Sequence, residues 1–210
     1  MHGLHGEIQG LSIEGWKKPM PRISLPAPEA MSPAQRQVYD KVVSGPRGKI
    51  EGPLRAALHN AELADCWQAL GALLRYRTGL TPRQSEIAIL VTGRACQSPF
   101  EWYAHRRESE KIGIETDILE ALLAQTPPPF RAPEEQLIYQ FALELNQQRS
   151  VSDATYAATL ACFGERIVVE LTALVGYYTM VAMTLNAHEI PLPEGQQPAF
   201  ALPQHQGMSA

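Results

Sequence analysis

A hydroxyl, a carboxylate and an imidazole recur within one short segment: Ser98, Glu101 and His105 in SPFEWYAHRRESEKIG. Spaced i, i+3 and i+7, they fall on one side of a 3.6-residue helix. A second carboxylate, Glu86, interrupts the apolar run EIAILV just upstream. An imidazole beside two carboxylates suits general acid/base work near neutral pH, because histidine titrates there and a carboxylate can orient it or keep it charged. Glu86, in apolar surroundings, is a candidate for a raised pKa and a neutral-acid role. Each residue also has a structural reading. Ser98 and Glu101 match a reciprocal helix cap, Glu86 could pair with Arg83 or Arg94, and His105 could be a satisfied, half-buried histidine. Trp102 and His59 are candidate substrate contacts; a core aromatic and a helix-junction residue at Asn60 are their competing readings. Glu101 and His105 have ligand spacing, but two ligands make no site, so no metal is expected.

The elements that must carry these residues are helical. Thr81-Pro82-Arg83-Gln84 is a capping box with proline at the first helical position, and Gly93 to Gln97 should break the helix it opens. The next helix starts at Ser98 and stops at Gly113. Upstream, Ser32-Pro33-Ala34-Gln35 opens a helix that ends near Ser44-Gly45-Pro46. From Leu54 a helical pattern runs in two pieces divided at Asn60, with Leu63, Trp67, Leu70 and Leu74 as its buried stripe. Downstream, helices are predicted over Thr116–Leu123, from Pro133, from Ser152 to Phe163-Gly164, and from Glu165 to about His188. Ile167 to Leu185 approaches membrane-spanning length, but Glu170, Gly176 and the Thr/Tyr content predict a buried core helix. No period-2 alternation is present, so the fold class is all-α.

A weak internal repeat supports a duplicated helical bundle. Glu86-Ile87-Ala88-Ile89-Leu90-Val91 matches Glu170-Leu171-Thr172-Ala173-Leu174-Val175, each after a helix closed by glycine (Gly79, Gly164) and each with a histidine downstream, His105 and His188. Glu170 has Arg166 one turn before it and should form an i,i+4 pair.

The expected organisation is an extended arm over residues 1–30, one helical domain over 31–190 and a tail over 191–210. The arm is rich in Gly and Pro; Trp16 and Ile23 are its expected anchors, and His2 and His5 are read as tail residues. A net charge of −4 with no basic block argues against nucleic acid, and the absence of a membrane span argues against a membrane partner. Three scattered cysteines, Cys66, Cys96 and Cys162, favour a reducing compartment. The start MHGLHGEIQG lacks the pattern of a signal peptide, so a cytoplasmic protein is expected.

RQSEIAILV, a short break and EWYAHRRESEKIG resemble the carboxymuconolactone decarboxylase family, which is related to the alkylhydroperoxidase D family. The later run VSDATYAATLACFGERIVVELTALVGYYTMVAMTLNAHEIPLPEG is similar to the C-terminal half of longer members, so the resemblance spans roughly Leu54 to Gly195. It implies an all-helical fold assembled as a homo-oligomer, a trimer or hexamer, with sites near subunit contacts. The peroxidase branch carries CxxCxxxH after a glutamate. Here the glutamate and histidine positions are Glu86 and His105, while the cysteine positions hold Ser98 and Glu101. Neither can cycle through sulfenic acid and disulfide, so the resemblance points to the decarboxylase branch. It implies cofactor-free loss of CO2 from a small carboxylated lactone such as 4-carboxymuconolactone, with His105 as acid/base and Glu101 and Glu86 in support. Ser98, Trp102 and His59 would then contact substrate. Antioxidant hydroperoxidase activity and a non-catalytic ligand-binding oligomer are the alternatives. Decarboxylases of this family are shorter and lack the N-terminal arm, so the substrate could be a different lactone or a β-keto-type acid.

Overall fold

The computed structural model describes residues 20–202, which form helices and connecting loops with no strand among them. The expectations for Trp16, His2 and His5 lie outside the described residues. The helices are α1 (Pro33–Val43), α2 (Pro53–Ala57), α3 (Ala61–Tyr76), α4 (Pro82–Ala95), α5 (Pro99–Lys111), α6 (Thr116–Ala124), α7 (Pro133–Gln148) and α8 (Asp153–Ala187). Local chemistry sets their starts. Ser32 with Gln35, and Thr81 with Gln84, form complete capping boxes that satisfy two orphan backbone donors each. Asn60 divides α2 from α3 by accepting from the Leu63 N–H at 3.0 Å. Gly164 takes φ 77° and ψ 167° inside α8, so the chain breaks its helix at the glycine where the sequence predicts it.

α4 is the central rod, packed against α5, α7 and α8. Ile87, Ala88, Ile89 and Leu90 are at most 1% exposed, so this helix is enclosed on every side. Burying each of the larger of these side chains contributes about 1.5–3 kcal/mol. That enclosure is what forces Glu86, on the same helix, to find polar partners.

Several sequence expectations are corrected. In α3 only Trp67 and Leu74 of the predicted stripe are buried; Leu63 and Leu70 are exposed, and the inner face is Ala64, Trp67, Gln68, Gly71 and Leu74. Small residues take the inner positions because α3 lies close to its neighbours. The break expected over Gly93 to Gln97 does fall there, at its far end: α4 runs on to Ala95 and the turn comes at Gln97, with φ 51°. Gly93 itself is a point of close approach, where a Cβ would lie 3.1 Å from the Glu101 Cβ. α8 is apolar and long enough to cross a membrane, but it is two-faced. Leu171, Leu174, Tyr178 and Leu185 lie in the core, whereas Val169, Met180 and Met183 are exposed.

The described part of the N-terminal arm is tied to the body. The Arg22 N–H donates to the His188 carbonyl at 2.9 Å, Arg55 donates to the Leu25 carbonyl at 2.8 Å, and Ile23 packs on the core. At the other end, Phe200 lies edge-on to Trp102 and under the Arg94 guanidinium.

Candidate active site

α4 and α5 run against each other through the Gly93 contact, which brings Glu86 on one to His105 on the other. His105 Nδ1 lies 2.7 Å from Glu86 Oε2, with both side chains more than 90% buried. A carboxylate at that distance accepts the Nδ1 proton, which leaves Nε2 as the nitrogen able to exchange one. Nε2 faces Glu101 Oε2 at 3.4 Å, one helical turn back on α5. This is ion-pair distance without hydrogen-bond alignment, and Glu101 Oε2 has no hydrogen-bond partner. Tyr178 of α8 stands edge-on to the imidazole at 4.9 Å between ring centres. Arg75, from the last turn of α3, places Nη2 3.7 Å from Glu86 Oε1.

The electrostatics follow from this order. Glu86 has both an imidazole and a guanidinium against it. Glu101 is equally enclosed but lacks a hydrogen-bonded counter-charge, so burial pushes its carboxyl above the ordinary glutamate value, with His105 and Arg75 opposing the shift. The Tyr178 phenol is pushed well above its usual range, chiefly by burial, and stays neutral. The set can therefore carry a proton on Glu101 or on His105 Nε2, 3.4 Å apart, while Glu86 fixes the ring.

A cavity of about 610 Å³ opens on this pair. Glu101, His105, Arg75, Tyr177 and Tyr178 lie on its wall, with Arg47 from the loop between α1 and α2. Glu86 is not on the wall. It sits behind His105, against the imidazole and the Arg75 guanidinium, and the carboxyl with the raised value on the wall is Glu101. Nor does Glu86 pair with Arg83 or Arg94: Arg83 binds Glu115 and Glu135, and Arg94 donates to the Leu123 carbonyl.

The remaining candidates part company with the site. Ser98 occupies the N-cap position of α5 but makes no side-chain cap; its Oγ is fully buried, without a partner and away from the cavity wall. The predicted Ser98–Glu101 capping box is absent because Glu101 turns toward His105 instead. Trp102 is 2% exposed and packs edge-on to Phe200, a core residue with no access to a ligand. His59 Nε2 lies 2.7 Å from the Ser24 carbonyl and pins the N-terminal arm. Sequence reasoning missed Arg47, Arg75, Tyr177 and Tyr178. The tyrosine pair, set in an otherwise aliphatic helix, was the available signal; the two arginines had none.

The cysteines are not at the site. Cys66 and Cys162 are exposed, none of the three is disulfide-bonded, and none lies on the cavity wall. Burial pushes the Cys96 thiol up, which lowers its thiolate fraction.

No protein-family model matches the sequence, and no curated protein matches it. Solved structures do match. An alkylhydroperoxidase D core protein from Ralstonia eutropha, an uncharacterised peroxidase-related protein, superposes with a TM-score of 0.69 at 18% identity, over 84% of this chain and 94% of its own. A peroxidase-related protein from a Silicibacter species gives 0.69 at 15% identity, over 86% and 96%. The debrominase Bmp8, in its apo form, gives 0.62 at 12% identity, over 87% and 95%. All described elements of this chain are helical, as the resemblance in sequence implies.

Proposed function

The chain has the alkylhydroperoxidase D-like helical fold, and we propose that it is a cofactor-free enzyme of the carboxymuconolactone decarboxylase type acting on a small carboxylated lactone such as 4-carboxymuconolactone. The observation that carries this reading is the triad of His105, held by Glu86 at 2.7 Å, with the uncharged-leaning Glu101 at 3.4 Å on the cavity side. In the reaction the bond from the ring carbon to its carboxylate breaks and CO2 leaves. The electron pair spreads into the unsaturated lactone as a dienolate. A proton from His105 Nε2 then goes to carbon, and water restores it, so one proton is consumed per turnover. Glu101 supplies the shared proton to Nε2, and Arg75, on the cavity wall, supplies positive charge near the developing oxyanion. Glu86 positions the imidazole.

Hydroperoxide reduction is the second reading, favoured by the peroxidase-related proteins that share the fold. It asks for a thiolate at the cavity, where this chain has Ser98 and Glu101 in place of cysteines. A non-catalytic ligand-binding oligomer is the third. We further propose that the chain assembles as a trimer or hexamer through the exposed apolar residues of α3 and α8, Leu70, Leu73, Met180 and Met183 among them. Sedimentation of a Leu70→Glu/Met183→Glu variant checks this: dissociation to monomer is expected, and an unchanged mass contradicts it.

The test of the reaction is the ultraviolet absorbance of 4-carboxymuconolactone, followed with the wild-type protein and with His105→Ala. Turnover that falls by about 10²-fold or more in the variant is expected. Equal rates, or no turnover by either protein, contradict the assignment.

A further inference from the structure

The cavity wall carries five cationic side chains: Arg47, Lys49, Arg75, Arg107 and Lys111. Four are already engaged. Lys49 pairs with Glu51 at 2.8 Å, Lys111 with Glu108 at 2.7 Å, and Arg75 stands 3.7 Å from Glu86. Arg107 donates to the Tyr103 hydroxyl at 2.7 Å. Arg47 is the exception. Among the described residues it has no carboxylate partner, and its Nε and Nη2 are out of reach of water without a hydrogen bond.

Those two nitrogens form one edge of the guanidinium, the edge that binds a carboxylate through two parallel N–H···O bonds. An arginine cannot shed its charge to relieve burial, so an unpaired edge costs the fold free energy that an anion would return. The fold also makes room for it. At Gly71 of α3 a Cβ would lie 2.4 Å from Arg47 Nη2 and 2.2 Å from the Tyr177 hydroxyl, so only glycine lets both groups lie against that helix.

We propose that Arg47 is the specificity-determining residue of the cavity: it takes a carboxylate of the ligand on its Nε/Nη2 edge, the guanidinium moving off Gly71 toward the cavity to do so. The ligand ring then lies near Tyr177 and Tyr178. This rests on the cavity of the proposed reaction being the ligand site, but it concerns binding alone and needs no turnover. The ligand class is a small planar acid, with the amide or ester of the same acid discriminated against.

The experiment measures benzoate and benzamide binding by titration calorimetry to the wild-type protein, Arg47→Met, Arg47→Lys and His105→Ala. Wild type is expected to bind benzoate better than benzamide. Arg47→Met should lose about tenfold or more of benzoate affinity, with benzamide unchanged. Arg47→Lys, which keeps the charge but not the fork, should recover only part of the loss. His105→Ala should still bind benzoate, so failure of the decarboxylase reading leaves this result standing and the two can be told apart. The melting temperature without ligand is a second readout. Removing two buried donors that lack partners should leave Arg47→Met at least as stable as wild type, whereas an arginine kept for structure would make it fall. Equal benzoate affinity in wild type and Arg47→Met, no benzoate binding by wild type, or a destabilised Arg47→Met would each overturn the proposal.

Discussion

EIAILV in α4 and ELTALV in α8 begin with a glutamate in nearly the same apolar sentence, yet the two carboxylates live differently. Glu86 is 7% exposed and bonded to His105 on the neighbouring helix. Glu170 is half-buried, accepts from Arg166 Nε at 2.9 Å one turn earlier, and takes the Gly79 backbone N–H at 2.7 Å. Hydrogen bonding to that N–H, and to Arg166, holds Glu170 below the ordinary glutamate value. The histidine that follows each segment diverges in the same way. His105 enters the core against Glu86, while His188 caps the end of α8 and gives its carbonyl to Arg22. Sequence likeness carried over the helix and its apolar faces, and left the fate of each charge to whatever the next element delivers. At α4 that element is α5, brought close by Gly93. At α8 it is a loop.

Four changes sharpen this contrast, in descending size. His105→Ala removes the proposed proton donor, and turnover should drop by about 10²-fold or more, read from absorbance decay. Glu86→Gln keeps the shape but loses the orienting charge. A turnover loss on the order of 10²-fold is expected from ring misplacement, whereas Glu170→Gln should leave turnover unchanged; equal losses in both would erase the distinction. Gly93→Ala sets a Cβ 3.1 Å from the Glu101 Cβ, so overpacking of about 1–3 kcal/mol should outweigh the roughly 1 kcal/mol that alanine returns in helix propensity. Chemical denaturation with a parallel rate measurement reads both effects.

The smallest effects are in stability against pH, and their signs oppose. The raised value of Glu101 favours the folded state below the ordinary glutamate pKa, and that contribution is lost as pH rises through the raised value. Glu101→Gln should therefore be more stable than wild type at neutral pH, with the two converging in acid. The lowered value of Glu170 stabilises the fold above the ordinary pKa and is lost as pH falls through the lowered value. Glu170→Gln should accordingly be weaker at neutral pH, by about 1 kcal/mol, and converge with wild type in acid. Thermal melts across pH 3–8 check both.

Most of the fold was legible in the sequence because capping boxes, glycine stops and apolar spacing are local signals. Ser32, Asn60, Thr81, Ser152 and Gly164 each stand where a helix begins or breaks. The site was half legible. Glu101 and His105 share a helix, so their spacing alone brings them together, and Glu86 was named as well. Its partner and its role were not local: they depend on how α4 meets α5. Ser98 and Trp102 failed for the same reason, since neighbours on one helix face toward different partners. Arg47 and Arg75 come from other parts of the chain, and no local pattern ties them to His105. The stripe in α3 failed where small residues, Ala64 and Gly71, took the buried positions that leucines were expected to fill.

A carbon-detected NMR titration of the Glu101 and Glu170 side-chain carboxyls in one sample, assigned with Glu101→Gln and Glu170→Gln, reads whether Glu101 is the carboxyl that can store a proton beside His105. Glu101 should titrate above the ordinary glutamate value and Glu170 below it. A Glu101 carboxyl that titrates at or below the value of Glu170 would contradict a proton stored on Glu101 beside His105.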